Sequence, residues 1–182
     1  TCALPILAVI RHGARKASPL TQVAKQVSFW GDFLGLNVIS FTLMLVIARW
    51  RQRPVWVRLA LASLVGACAT GLVAVLIRGL LGRARPSALV PDGFYGPQWM
   101  SALHSCPSGH TATAFGLAIP LLVAEPRLGL MAMAAASSVA WSRMYLNQHY
   151  PADVLTSVCL SLCIGIPIGM AVRRQNRFAG GR

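Results

Sequence analysis

Five long stretches without a charged side chain limit the folds that this chain can adopt. A helix needs about 20 residues to cross the hydrocarbon core of a membrane, so the shorter stretches must also use their neighbours. Within a bilayer every backbone polar group must be hydrogen-bonded inside the protein, and the sequence has no alternating strand pattern. The stretches therefore predict five membrane-spanning helices, at residues 33–48, 59–77, 111–124, 128–142 and 154–172.

Composition supports an integral membrane protein. Hydrophobic residues make up 55% of the 182 positions and charged residues only 12%, which is too apolar for an ordinary soluble domain. We expect one all-α domain over residues 1–182, a polytopic transmembrane helix bundle with five clear spans. Residues 1–10 are apolar but too short to cross alone. They could be the tail of a sixth helix, an interfacial helix or a processed end.

Basic residues are distributed unevenly between the predicted loops. By the positive-inside rule the most basic loops lie in the cytoplasm, and alternation then places residues 78–105 and 143–153 outside. The net charge of +13 is best explained by contact between the cytoplasmic loops and anionic lipid headgroups. Nucleic acid is not an expected partner, because the basic residues are split between two membrane faces. The cytoplasmic arginines are Arg49, Arg51, Arg53, Arg58, Arg127, Arg173, Arg174 and Arg177.

Two arginines at the end of the second span are the first candidate phosphate contacts. Arg85 follows Arg78 by seven residues, about two helical turns, so a continuing helix would place both on one face. Pro86 then ends that helix. A guanidinium fork matches the oxygens of a phosphate group. The alternative is that both arginines are structural or face lipid.

A Pro-Ser-Gly-His motif precedes the third span. Pro107 suits the first turn of a helix, Ser108 can cap it or donate its hydroxyl, and Gly109 lets the backbone approach a ligand. Free N–H groups at a helix start favour an anion. His110 is then placed to protonate a leaving group. The alternative is a plain helix start with a surface histidine.

The third motif lies between the last two spans. Asp153 follows His149 by four residues, one helical turn, so its carboxylate can bind one ring nitrogen and leave the other free for attack. Arg143 lies at the other end of the same outer turn. A histidine and an aspartate at this spacing are usually structural, but here they accompany two other phosphate-suited motifs on the same membrane face.

Acidic residues are too few for a metal site. The whole chain has Asp32, Asp92, Glu125 and Asp153, and Glu125 falls at the opposite membrane face. A two-metal phosphatase needs several carboxylates around its ions. The cysteines have no paired zinc spacing, and the sequence has no glycine loop for a nucleotide. We therefore expect a site with no metal and no cofactor.

Together the three motifs resemble the three-part signature of the type 2 phosphatidic acid phosphatase (PAP2) superfamily. The resemblance implies a bundle of six membrane helices and metal-independent hydrolysis through a phosphohistidine. It also implies that His149 is the nucleophile, Asp153 its orienting partner and His110 the acid. The chain departs from the family at the first position of the first motif, where lysine is usual. The implied phosphate clamp consists of Arg78, Arg85, Ser108, Gly109 and Arg143.

The substrate is expected to be a membrane lipid phosphate. Phe94, Tyr95 and Trp99 in the outer loop suit a membrane interface, either as a lip that admits a lipid headgroup or as a simple anchor. Polyprenyl diphosphate, phosphatidylglycerol phosphate, phosphatidic acid and lipid A phosphate are the candidates. Two alternatives stay open: a lipid phosphotransferase of the same fold, and a non-enzymatic lipid-binding or transport bundle. We expect a bacterial cytoplasmic membrane protein with its active site facing outside.

Overall fold

The computed structural model describes residues 18–52 and 54–180, and these residues form an all-helical protein. The β structure among them is limited to an isolated bridge between Arg83 and Phe94. The expected all-α fold is thus confirmed for this part of the chain, whereas the apolar residues 1–10 lie outside it. The helices are α1 (Pro19–Trp30), α2 (Ile39–Arg51), α3 (Pro54–Leu81), α4 (Gly109–Ala124), α5 (Pro126–Tyr145) and α6 (Pro151–Gly180).

Proline marks the start of four of these helices. Its fixed φ fits the first turn, where the missing N–H has no intrahelical partner to lose. Pro126 also separates two helices, because α4 ends one residue before Glu125 and α5 begins one residue after it. The connection between α4 and α5 is therefore very short. The four prolines are Pro19, Pro54, Pro126 and Pro151.

Helix α1 does not appear among the predicted elements. Lys25 and the neighbouring glutamines interrupt its apolar pattern, so no charge-free stretch marks it. The available signal was local: Ser18 caps the helix by accepting a hydrogen bond from the backbone N–H of Thr21, and Pro19 follows. A π-helical turn at Phe33–Val38 joins α1 to α2, with a bend of 59° between the two helices.

The structure does not confirm all five predicted spans. Two of the described helices, α3 and α6, are long and apolar enough to cross a membrane alone, and α1 with α2 adds a third if the bent pair is one span. Helix α4 has only 16 residues, about 24 Å of helix, which is short of the hydrocarbon core. Helix α5 has 20 residues, but its alanines, serines and Arg143 lower its hydropathy. These helices still belong to an integral membrane bundle.

Helix α4 lies at the centre of the bundle and packs against α3, α5 and α6. Its side chains from Thr111 to Leu121 are all buried. Gly66 of α3 and Gly116 of α4 let these two helices approach closely, because a Cβ on either glycine would clash with the facing backbone. These two glycines therefore serve the close packing of α3 against α4. The packing also brings the C-terminal end of α3 to the N-terminal end of α4.

Candidate active site

The first two motifs meet where α3 ends and α4 begins. Arg78 lies in the last turn of α3, and a Cβ added to Gly109 would lie 2.8 Å from its Nη1. Glycine is therefore the residue that lets this guanidinium lie against the start of α4. The helix ends at Leu81 and does not continue to Arg85, so the condition for placing both arginines on one helix face is not met. Gly82, with φ of +56°, ends the helix in the left-handed region, and its N–H donates to the carbonyl of Arg78.

The start of α4 is held by hydrogen bonds around Ser108. Ser108 is the N-cap and is fully buried, and its hydroxyl accepts a hydrogen bond from Thr111 Oγ1 at 3.0 Å. Its carbonyl accepts one from Ser157 Oγ of α6 at 2.9 Å. The Ser108 side chain does not cap the helix, so the first-turn N–H groups keep their capacity for an anion. Pro107 precedes the cap instead of occupying the predicted first turn.

His149 is buried in the short loop between α5 and α6. Only 2% of it is exposed, and its Nδ1 lies 2.7 Å from the carbonyl oxygen of Ser105. A carbonyl oxygen can only accept, so Nδ1 carries the hydrogen and Nε2 keeps its lone pair. The ring therefore has the tautomer that a nucleophile needs at Nε2.

Asp153 does not hold the His149 ring in the way its spacing predicts. Its nearest oxygen is 3.9 Å from Nδ1, beyond hydrogen-bonding distance. The carboxylate instead accepts hydrogen bonds from Ser105 Oγ at 2.5 Å and from the backbone N–H of Tyr150 at 2.9 Å. The latter bond closes the first turn of α6 as half of a capping box. Asp153 thus fixes Ser105, and Ser105 in turn orients His149.

Arg83, at an unassigned position of the first motif, completes this network. Its Nη1 lies 2.5 Å from Asp153 Oδ1, and its guanidinium stacks on the ring of Tyr150 at 4.5 Å from the centroid. Phe94 covers it from the outer loop at 5.4 Å. The hydroxyl of Tyr150 also donates to Asp92 of that loop. Arg83 lies two residues before Arg85 in the first motif, but the partner that gives it a role is 70 residues away.

Three arginines lie around the two motif histidines: Arg143 and Arg85 are close enough to act on both His110 and His149, and Arg78 on His110. Arg143 is buried in the last turn of α5 and donates to Ser28 Oγ of α1 at 2.6 Å, while Arg85 donates to Gln148 Oε1 at 2.8 Å. The Nε atoms of Arg78, Arg85 and Arg143 are buried and have no hydrogen-bond partner in the described part of the chain. Burial and the charge of Arg78 lower the pKa of Arg85. Three converging guanidinium groups with unused donors suit a phosphate dianion.

His110 lies between two open cavities. The larger, about 650 Å³, is lined mainly by α1 and the turn after it, and the smaller, about 380 Å³, by α3 and α4. The Nε2 of His110 is 3.5 Å from Oδ1 of Asp32. His104 is held in the outer loop instead, where its Nε2 is 2.7 Å from the carbonyl oxygen of Gln98.

A metal site has no support among the described residues. They contain no cluster of three or more histidine, cysteine, aspartate or glutamate side chains that could hold an ion. The carboxylate beside His149 is already bound to Arg83, Ser105 and the backbone.

The environment of His149 predicts its titration. Burial, together with the positive charges of Arg143 and Arg85, holds the pKa of His149 well below its ordinary value of 6.5. We expect the ring to stay neutral as the pH falls through 6.5, so that Nε2 remains available. Carbon-13 NMR of labelled histidine in detergent measures this, with His149→Gln identifying the signal. A titration midpoint at or above pH 6.5 would contradict the buried site.

Known proteins resemble both the sequence and the fold. The profile of the PAP2 superfamily matches residues 59–177. The lipid A 1-phosphatase of Rhizobium johnstonii is 31% identical over 162 residues, which are 80% of this chain and 66% of that protein. A transmembrane PAP2-type phosphatidylglycerolphosphate phosphatase from Bacillus subtilis superposes with a TM-score of 0.62 at 22% identity, over 95% of this chain and 85% of that one. LpxE from Aquifex aeolicus gives 0.60 at 20% identity, over 89% and 93%.

These similarities differ in what they establish. The profile covers more than half of the chain and all three motifs. The two solved structures are less than 25% identical to the chain and bear on its fold. The chain spans slightly less than two thirds of the length of the Rhizobium johnstonii protein.

Proposed function

The chain belongs to the PAP2 superfamily, and on that premise we propose that it is an integral membrane phosphatase that removes a phosphate group from a lipid. The observation that carries the proposal is the arrangement around His149. The ring is buried, its Nδ1–H is bound to Ser105, and its Nε2 lone pair is free. Burial, and then the nearby charges of Arg143 and Arg85, lower the pKa of this ring. A neutral nucleophile beside fixed positive charge suits attack on a phosphate group.

The reaction proceeds in two displacements. In the first, Nε2 of His149 attacks phosphorus, the bond from phosphorus to the leaving oxygen breaks, and His110 gives its proton to that oxygen. In the second, water attacks the phosphohistidine, the nitrogen–phosphorus bond breaks, and His110 takes a proton from the water. Arg78, Arg85 and Arg143 stabilise the phosphoryl oxygens throughout. Positioning and electrostatics provide most of the catalysis, and neither step uses a metal.

The start of α4 supplies the rest of the phosphate cradle. Its first-turn N–H groups and the positive end of its dipole favour a negatively charged ligand. Gly109 has no side chain to block the approach of a phosphate group to these N–H groups. Ser108 is held by α6 through Ser157, so the cradle and the His149 loop are fixed to the same helix. A pre-formed cradle of this kind lowers the reorganisation needed during the reaction.

The site faces outside in this proposal. Arg78, His110, Arg143 and His149 lie at one set of helix ends. The opposite ends carry arginines at the end of α2, the start of α5 and the end of α6. The positive-inside rule assigns that second end to the cytoplasm. The phosphate group of an outer-leaflet lipid would then reach the site, with Trp99 and Phe94 exposed at the interface.

The Rhizobium relative makes a lipid A phosphate the first substrate to test, followed by phosphatidylglycerol phosphate, phosphatidic acid and polyprenyl diphosphate. We expect the purified protein in detergent to release inorganic phosphate from at least one of these lipids. Release should continue in EDTA and stop with vanadate, which mimics the five-coordinate phosphorus. With a substrate labelled in its phosphate group, a phosphotransferase would consume the substrate without releasing free phosphate, and the label would appear on a second lipid. No reaction with any member of the panel would favour a non-enzymatic lipid-binding bundle.

A further inference from the structure

Asp32 is an acidic residue that none of the three motifs contains. It lies two residues after the end of α1, at the start of the π-helical turn Phe33–Val38, and its side chain makes no capping hydrogen bond there. Its Oδ1 is instead 3.5 Å from Nε2 of His110, which lies in the first turn of α4. A π-helical turn is rare in proteins and often marks a functional position. The chain therefore carries an irregular turn where a carboxylate meets the proposed acid.

The side chains around His110 are mostly positively charged, and the carboxylate of Asp32 counteracts them. To donate a proton, His110 must carry a positive charge. Burial of the ring opposes that charge most, and Arg143, Arg85 and Arg78 oppose it as well. Asp32 acts in the other direction, and it is the negative side chain among the described groups that act on this ring. The three arginines are required to bind phosphate, so the site needs a compensating charge close to the acid.

The position of Asp32 also fits a role in the reaction. The two cavities beside the site have two lining residues in common, Asp32 and His110. A lipid phosphate entering from either cavity therefore meets this pair. The 3.5 Å separation is that of an ion pair and is longer than a tight hydrogen bond, which leaves Nε2 able to turn to a leaving oxygen. Asp32 lies outside the residues that match the family profile.

We infer that Asp32 is a positioning residue for His110, which holds the protonated ring at the junction of the two cavities until it donates its proton to the leaving oxygen. The inference rests on the proposed function. It adds to the site a residue from the helical segment that precedes the matched region. Asp32 itself forms no bond to the substrate in this role.

Leaving-group dependence tests this role. An alkyl phosphate leaves as a basic alkoxide and needs the acid, whereas a nitroaryl phosphate with the same hydrocarbon chain leaves readily without it. We expect Asp32→Asn to lower kcat for the alkyl phosphate about tenfold and for the nitroaryl phosphate less than about threefold, with KM little changed. The basic limb of the kcat/KM profile for the alkyl substrate should also move to lower pH. His110→Gln should show the same dependence, and the double variant should be no slower than His110→Gln alone.

Matched variants separate this role from a general structural effect. Glu125→Gln removes a negative charge at the far end of α4 and should behave as wild type on both substrates. Asp32→Glu should restore the wild-type ratio of the two rates, and Asp32→Ser is measured as well, so that a folding defect in one variant leaves another to decide. Equal losses on both substrates would overturn the inference while leaving the phosphatase proposal intact. A wild-type protein that hydrolyses neither substrate would contradict the proposed function itself.

Discussion

Replacing His149 with alanine should lower kcat by at least about 10⁴-fold while the helical fold is retained. The imidazole supplies the only proposed bond to phosphorus. Neither Ser105 nor Asp153 can replace it as nucleophile, because the hydroxyl of Ser105 is hydrogen-bonded to the carboxylate of Asp153. Alanine removes a ring that makes one hydrogen bond to a backbone carbonyl, so the stability cost is smaller than the catalytic cost. Phosphate release from the best lipid of the panel measures the effect, and circular dichroism checks the fold.

His104→Ala is the matched control for this variant. It also removes an imidazole near the outer face, but from a loop position where Nε2 is bound to Gln98 and the ring meets Trp99 at its edge. This variant should retain most of the activity. If His149→Ala and His104→Ala lost activity to the same extent, His149 would have no special part in the reaction.

Asp153→Asn should have the second largest effect. The carboxylate is fully buried and accepts hydrogen bonds from Arg83, Ser105 and the N–H of Tyr150. An asparagine side chain keeps the shape of aspartate, but its NH₂ group would face at least one of the three groups that now donate to the carboxylate. The substitution also leaves the guanidinium of Arg83 without its counter-charge. We expect a loss of about 3–5 kcal/mol in stability, as for a broken buried ion pair. Since Ser105 is then free to move, kcat should fall about 100-fold, with a smaller change in KM.

A double-variant cycle with Arg83→Gln tests the connection. If Asp153 acts through a shared network, the two substitutions should be strongly non-additive in both kcat and the unfolding midpoint. Nitrogen-15 NMR of His149 provides a direct readout, because loss of the Ser105 anchor should allow the other tautomer. Additive effects, or an Asp153→Asn protein with wild-type kcat, would contradict the network.

The sequence predicts the helical class and the chemistry of the site better than it predicts the contacts. Charge-free stretches identify α3 and α6 because lipid excludes charge over a whole helix. The same criterion misses α1, where Lys25 interrupts the pattern. It also predicts a membrane span at α4, although this helix has only 16 residues and its apolar side chains are buried inside the bundle. Hydrophobicity alone does not distinguish a helix facing protein from one facing lipid.

Local rules failed at the site where tertiary contacts compete with sequence spacing. A histidine and an aspartate four residues apart suggest a direct hydrogen bond. Ser105, 44 residues before His149, prevents it: its carbonyl oxygen accepts from Nδ1 of His149, and its hydroxyl donates to the carboxylate of Asp153. Helical spacing likewise suggested one face for Arg78 and Arg85, whereas Gly82 ends the helix between them. Both groups still reach the same site, since the loop after α3 folds back. The residues of the motifs were predictable, and the routes that bring them together were not.

Trapping the covalent intermediate tests the central claim most directly. The purified protein would be mixed with a phosphorus-32-labelled lipid phosphate in EDTA and quenched in alkali, in which phosphohistidine survives, and the labelled peptide would then be mapped. We expect acid-labile label on the peptide that contains His149, and none in His149→Ala. Label on another residue, or phosphate release by wild-type protein with no labelled histidine at any quench time, would contradict the account.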